Sequence, residues 1–210
     1  MKPYIPKAYA GNDTALLHEF IRARVFAHVI TTMNGAPVIA HAPVMFHVKH
    51  FPLGAVHFHF AKENSVCGPL SAGAETLLLF AGPDTYVSPD WYAAPGRVPT
   101  WNYAAVYARG RPRTLNKDEL TQLLDDLSRE NERKLAPKKP WTMDKAAPEY
   151  IAGLIPHIAG YELPFDSLDG KFKLSQDKTA ADRAGVTRAL RERGDPAAAA
   201  VADLMDKHNR

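Results

Sequence analysis

The chain has 210 residues, 46% of them hydrophobic and 23% charged, with a formal net charge of +3, a balance that suits one globular domain and excludes a disordered chain. No run reaches the about 18 apolar residues of a membrane helix, and Met1-Lys2-Pro3-Tyr4-Ile5-Pro6 has no apolar region behind its charge, so a cytoplasmic location and no membrane partner are expected. The single cysteine, Cys67, excludes an internal disulfide framework and reads as a small buried apolar residue, while the mildly basic balance favours phosphorylated ligands without requiring nucleic acid.

In chain order, Asn12-Asp13-Thr14 offers a capping group ahead of Leu16, Leu17, Phe20 and Ile21 at helical spacing, which predicts a helix to about Arg24. Val25 to Thr32 is rich in β-branched residues, Asn34-Gly35 is a strong turn signal, and Pro37 to Phe46 resumes an extended pattern, so a hairpin is expected. Further strands are predicted over Ala55 to Phe60, Glu75 to Phe80, Thr85 to Val87 and Asn102 to Ala108. The loop containing Pro89, Pro95, Gly96 and Pro99 forbids regular structure. From Asn116 a helix should form with acidic residues in its first turn and Leu120, Leu123, Leu124 and Leu127 on its apolar face. A short helix over Pro148 to Leu154, a strand over Ile158 to Leu163 and an Ala-rich helical tail from Thr179, broken at Gly194-Asp195-Pro196, complete the chain. One domain over residues 1–210 is expected, with helical additions at about 116–155 and 178–210.

Three blocks carry chemistry. His57-Phe58-His59-Phe60-Ala61-Lys62-Glu63-Asn64-Ser65 reads as a strand that ends in a basic residue and enters a helical turn, where backbone N–H groups and the Lys62 charge would meet a phosphate; a solvated strand end is the plainer alternative. Ser88-Pro89-Asp90-Trp91-Tyr92 and Val98-Pro99-Thr100-Trp101-Asn102-Tyr103 place aromatics for stacking on a flat ring, with Thr100 and Asn102 able to bond its polar edge. Gly170-Lys171-Phe172-Lys173-Leu174-Ser175-Gln176 is a basic extended segment.

Together these blocks resemble the PaiB family of FMN-binding proteins, a family named for negative transcriptional regulation. Its members carry a strand ending in His-x-Ala-Arg-x-Asn-Pro, a Ser-Pro-x-Trp-Tyr loop, Val-Pro-Thr-Trp-Asn-Tyr and Lys-Trp-Lys-Leu-Ser-Gln. The resemblance runs from Tyr4-Ile5-Pro6 to Gly194-Asp195-Pro196. It implies a mainly β, α+β fold built on a six-stranded split barrel related to pyridoxamine-phosphate oxidases and flavin reductases, with FMN held at the two-fold interface of a homodimer. His59, Ala61, Lys62 and Asn64, with Ser65 beside them, would lie along the phosphate and ribityl chain. Thr100, Trp101 and Asn102 would lie near the flavin, and Lys171 and Lys173 would supply further positive charge. Lys62 stands where arginine is common and would act as a point charge instead of a bidentate fork. Ser65 replaces proline, Phe172 replaces tryptophan, and Asp177-Lys178 replaces an Asn-Arg pair.

Other chemistries are less well supported. His41, His47, His50, His57 and His59 fall close together, and His57 and His59 share a strand face, but no Glu or Asp stands nearby on the same strands, so no metal is expected. The sequence has no nucleophile elbow, P-loop or Rossmann fingerprint. A flavin-dependent oxidoreductase remains the alternative function, with no catalytic residue assigned. Arg183, Arg188, Arg191 and Arg193 lie on a helix pair around Gly194 that could approach DNA. The Ala-rich last helix offers few side chains for base edges, so packing helices are the expected reading.

Overall fold

The computed structural model describes residues 3–208. In chain order its elements are β1 (Ala10–Gly11), α1 (Thr14–Ala23), β2 (Phe26–Met33), β3 (Ala36–Pro43), β4 (Met45–His47), β5 (Ala55–Ala61), α2 (Cys67–Ser71), β6 (Thr76–Val87), β7 (Thr100–Gly110), β8 (Arg113–Thr114), α3 (Lys117–Arg133), α4 (Pro148–Leu154), β9 (Ile158–Pro164), β10 (Ser167–Lys173), α5 (Ala180–Glu192) and α6 (Pro196–His208). The fold is α+β, and the pairs β1–β10, β2–β3, β2–β6, β4–β5, β5–β9 and β8–β9 are all antiparallel.

Local chemistry accounts for many of the boundaries. Asp13 Oδ1 accepts a hydrogen bond from Ala15 N at 2.9 Å and so caps α1, whose Leu17, Phe20 and Ile21 are buried. Asn34 and Gly35 take φ of 53° and 78°, the left-handed pair that a tight hairpin demands, and they set the β2–β3 register from Met33 opposite Ala36 to Phe26 opposite Pro43. The expected run from Pro37 to Phe46 breaks at Val44, whose N–H donates to Val25 O at 2.7 Å. Met45 thereby starts a new pairing, with β5. The two strands expected over 75–80 and 85–87 are one, β6: residues 81–84, including Pro83, are half-buried or exposed, a setting in which a strand tolerates a missing donor.

Two compact units are distinguished: unit one comprises residues 3–17, 81–106 and 169–208, and unit two residues 18–80 and 107–168. In unit one the strand order is β1–β10–β7–β6, with Ala10 opposite Lys171. Helices α5 and α6 pack together through Val186, Leu190, Ala198, Val201 and Met205, all buried. Gly194, at φ of 70°, ends the first of them, and Asp195 Oδ1 caps the second by accepting from Ala198 N at 2.8 Å.

In unit two β2 lies between β3 and the first part of β6, and a second sheet has the order β4–β5–β9–β8. Val56, Phe58 and Phe60 point to one face of β5 and are buried; His57, His59 and Ala61 point to the other. Helix α3 covers that second face. Its Leu120, Leu123 and Leu127 cluster with Leu115, and Met45 and Ile158 pack against them. Gly160 permits the approach, since a Cβ there would stand 2.9 Å from Leu120 Cδ1.

Candidate functional site

Unit one holds a cavity of about 260 Å³ where β7 begins and β10 ends, lined by Tyr9, Tyr92, Arg97, Thr100, Lys173 and Lys178 among others. Lys173 Nζ donates to Thr100 Oγ1 and to Trp101 O at 2.9 Å. Burial lowers the Lys173 pKa, with Asp177 opposing the shift. Arg97 Nη2 is 2.9 Å from Asp182 Oδ2, and that carboxylate is fully buried. Asp182 also accepts from Ala94 N at 3.0 Å, so the start of α5 fixes the 94–97 loop. Lys178 pairs with Asp177 at 2.6 Å. Burial and a hydrogen bond with Asp177 raise the Tyr9 pKa, keeping it a neutral phenol. The Tyr92 hydroxyl is buried and has no hydrogen-bond partner among the described residues. Three cations and two phenols, one of them with an unpartnered hydroxyl, suit a ligand that is both anionic and aromatic.

Of the residues expected on this side of the chemistry, Thr100, Asn102 and Lys173 line the cavity. Asn102 is nevertheless committed within the protein. It is 1% exposed, and its amide donates to Ser175 Oγ at 3.0 Å and to Met205 Sδ at 3.4 Å. Trp101 is exposed, edge-on to Tyr86 with ring centroids 6.3 Å apart. Lys171 lies over the rings of Tyr103 and Tyr4, at 5.3 and 5.7 Å.

The residues expected along a phosphate belong to unit two. Lys62 N donates to His157 O at 2.9 Å, while its side chain is exposed beside a cavity of about 380 Å³ that Thr114, Asn116, Lys117 and Leu120 also line. No ion pair involving Lys62 occurs among the described residues. Ala61 and Ser65 are exposed, and Asn64 is half-buried. Asn64 is used locally: its Oδ1 accepts from Val66 N at 3.1 Å and its carbonyl accepts from Cys67 N at 2.9 Å. The N–H groups of Val66 and Cys67 are therefore occupied, and α2, which Cys67 begins, spans only five residues, which leaves the side chain of Lys62, not a helix dipole, as the feature suited to an anion. His59 stands opposite Gly160. Burial lowers its pKa, and its Nδ1 is buried without a hydrogen-bond partner among the described residues.

Sequence reasoning missed Tyr9, Arg97 and Lys178, whose place at the unit-one cavity depends on long-range pairing that no local spacing signals. It also missed Glu162. That carboxylate accepts from Arg113 Nε at 2.6 Å and lies 3.0 Å from His57 Nε2. Burial pushes its pKa up, but the hydrogen bonds from His57 and Arg113 outweigh this and hold it below the usual range.

Residues 3–167 match the family model described as "Putative FMN-binding domain". The chain is 31% identical over 205 residues to the protease synthase and sporulation protein PAI 2 of Bacillus subtilis, covering 97% of this chain and 96% of that one. Two solved structures share the fold. The flavocytochrome Anf3 from Azotobacter vinelandii has a TM-score of 0.56 and 18% identity, over 80% of this chain and 72% of its own. The FAD and heme binding protein from Mycobacterium smegmatis has a TM-score of 0.57 and 14% identity, over 84% of this chain and 78% of its own. At these identities the likeness is one of fold alone.

Proposed function

Because the chain belongs to the PaiB family of FMN-binding split-barrel proteins, we propose that it works in the cytoplasm as a homodimeric, flavin-responsive negative regulator of transcription, with Lys62 as the ligand of the FMN phosphate. The observation that carries the phosphate assignment is the state of Lys62: exposed at the end of β5, beside a cavity that Lys117 also lines, and without an ion pair among the described residues. A phosphate dianion needs donors that are not already committed. When bound, FMN supplies an electron acceptor whose redox state a protein can sense.

The unit-one cavity supports a second location for the anionic group. Its unpartnered Tyr92 hydroxyl favours that reading. Its cations weigh against it, since Arg97, Lys173 and Lys178 are held by Asp182, by Thr100 with the Trp101 carbonyl, and by Asp177.

Regulation is proposed to act without direct DNA contact. Arg191 pairs with Asp203 and Asp206 at 3.0 and 2.8 Å, and Arg193 with Asp195 at 2.7 Å, so these charges on the C-terminal helices are largely neutralised. Nucleic-acid affinity depends on cations free to replace counterions.

Titration of the purified protein with FMN tests the function. Quenching of flavin fluorescence that saturates at one FMN per chain is expected, with no NADH or NADPH oxidation by the loaded protein alone. A folded protein that leaves FMN fluorescence unchanged refutes the reading, and steady turnover of NADH would assign an oxidoreductase instead.

A further inference from the structure

The sheet of unit two brings together three ligating side chains from three strands. His57 lies directly opposite Glu162 in the β5–β9 pairing, and directly opposite Met45 in the β4–β5 pairing. His47, two residues beyond Met45, therefore projects from the same face as His57 and Glu162. The side-chain atoms converge: His57 Nε2 is 3.0 Å and His47 Nε2 3.6 Å from Glu162 Oε1, and the three ligating atoms all lie within 4.8 Å of one another. Atoms bound to a single tetrahedral Zn²⁺ at about 2.0–2.1 Å stand roughly 3.4 Å apart. The two distances to Glu162 straddle that spacing, so small rotations of the imidazole rings would complete it.

The surroundings prepare each ligand. The buried Nε2 of His47 has no hydrogen-bond partner among the described residues. Glu162 Oε2 is held by Arg113 Nε at 2.6 Å, which frees Oε1 to act as a monodentate ligand. Arg113 is in turn oriented by both carboxylate oxygens of Glu119, at 2.9 and 2.8 Å. Outer hydrogen bonds of this kind fix the orientation of metal ligands. The side chains of His47 and His57 are 28% and 26% exposed and border a cavity of about 600 Å³, so a bound ion would keep a position open to water.

We propose that His47, His57 and Glu162 form a binding site for a divalent first-row transition-metal ion, best suited to Zn²⁺, with water as the fourth ligand. Two imidazoles and one carboxylate are donors that Zn²⁺ accepts readily, and a site with three protein ligands and an exposed fourth position is the form that Zn²⁺ takes where it meets solvent. None of the three ligands lines the cavity beside Lys62, so the assignment does not rest on where FMN binds.

The test uses the full chain, stripped with EDTA, desalted and titrated with Zn²⁺, with Co²⁺ as a spectroscopic probe. One Zn²⁺ per chain is expected, together with visible Co²⁺ bands that Zn²⁺ abolishes. The variants His47→Gln and His57→Gln should each weaken Zn²⁺ binding at least about tenfold to a hundredfold, the range reached even by outer-shell changes. Glu162→Gln should do the same. If that variant fails to fold because Arg113 loses its partner, the half-exposed histidines still decide the matter. Failure of the wild-type chain to retain Zn²⁺, or binding that either histidine variant leaves unchanged, overturns the assignment and leaves the cluster as an ion-pair network.

Discussion

Lys62 leaves β5 with its backbone tied to His157 O at 2.9 Å and its ammonium exposed. Lys62→Ala should therefore spare the core while removing one charge-assisted hydrogen bond to the FMN phosphate. The expected result is FMN binding weakened by about tenfold to a hundredfold, with riboflavin, which lacks the phosphate, almost unaffected. Fluorescence titrations with both flavins check this. Equal losses would make Lys62 a structural support, and unchanged FMN binding would move the phosphate to Lys173 or its neighbours. Lys62 could be singled out from its place after an alternating apolar run. The commitments of Asn102 to Ser175 and Met205, and of Asn64 to its own turn, could not. An amide looks the same in sequence whether it faces a ligand or a neighbouring side chain. The carboxylate of Glu162 was hidden for a similar reason: it meets His57 across a strand pairing between segments far apart in the chain.

Helix α3 shows how an element can be set by a few residues at its start. Asn116 Oδ1 accepts from Glu119 N at 2.9 Å, and Glu119 Oε2 accepts from Asn116 N at 2.8 Å, a reciprocal cap. The Arg113 guanidinium and then the Asn116 N–H hold the Glu119 pKa down to about 2, from an ordinary 4.5. Its folded pKa lies below its unfolded one, so its stabilisation is complete above about pH 4.5 and is lost as pH falls through about 2. The pair is partly exposed, which limits the contribution to about 1 kcal/mol or less. Glu119→Gln should lower the melting temperature at neutral pH by a few degrees and flatten its decline in acid, as followed by circular dichroism; an unchanged acid profile would contradict this account. The cap and the Asn34-Gly35 turn were legible in the sequence because their chemistry is local. The break at Val44 was not, because the hydrogen bond that makes it reaches back to Val25.

For the whole molecule, the proposed two-fold pairing calls for an apolar surface that a monomer leaves uncovered. The β2–β3 hairpin offers one: Phe26 and Ile39 are 60% and 58% exposed, and they share an outward face with Ile30 and with the His28–His41 ring pair. Light scattering at micromolar concentration should report a dimer, and Ile39→Asp should shift it to a monomer with an unchanged circular dichroism spectrum; a wild-type monomer would count against the pairing. The α+β fold implied by the family resemblance is the fold observed. The division into two units did not show in the sequence, because each unit is gathered from separated segments. That interleaving matters during synthesis. In unit one Ala10 must wait for Lys171, so β1 emerges from the ribosome long before the strand that pairs with it. Most of unit two can pair before the segment from residue 169 onward is made. The nascent chain thus carries an unfinished sheet until β10 has emerged, and a stop ahead of that strand would release a protein with one unit largely assembled and the other without its closing strand.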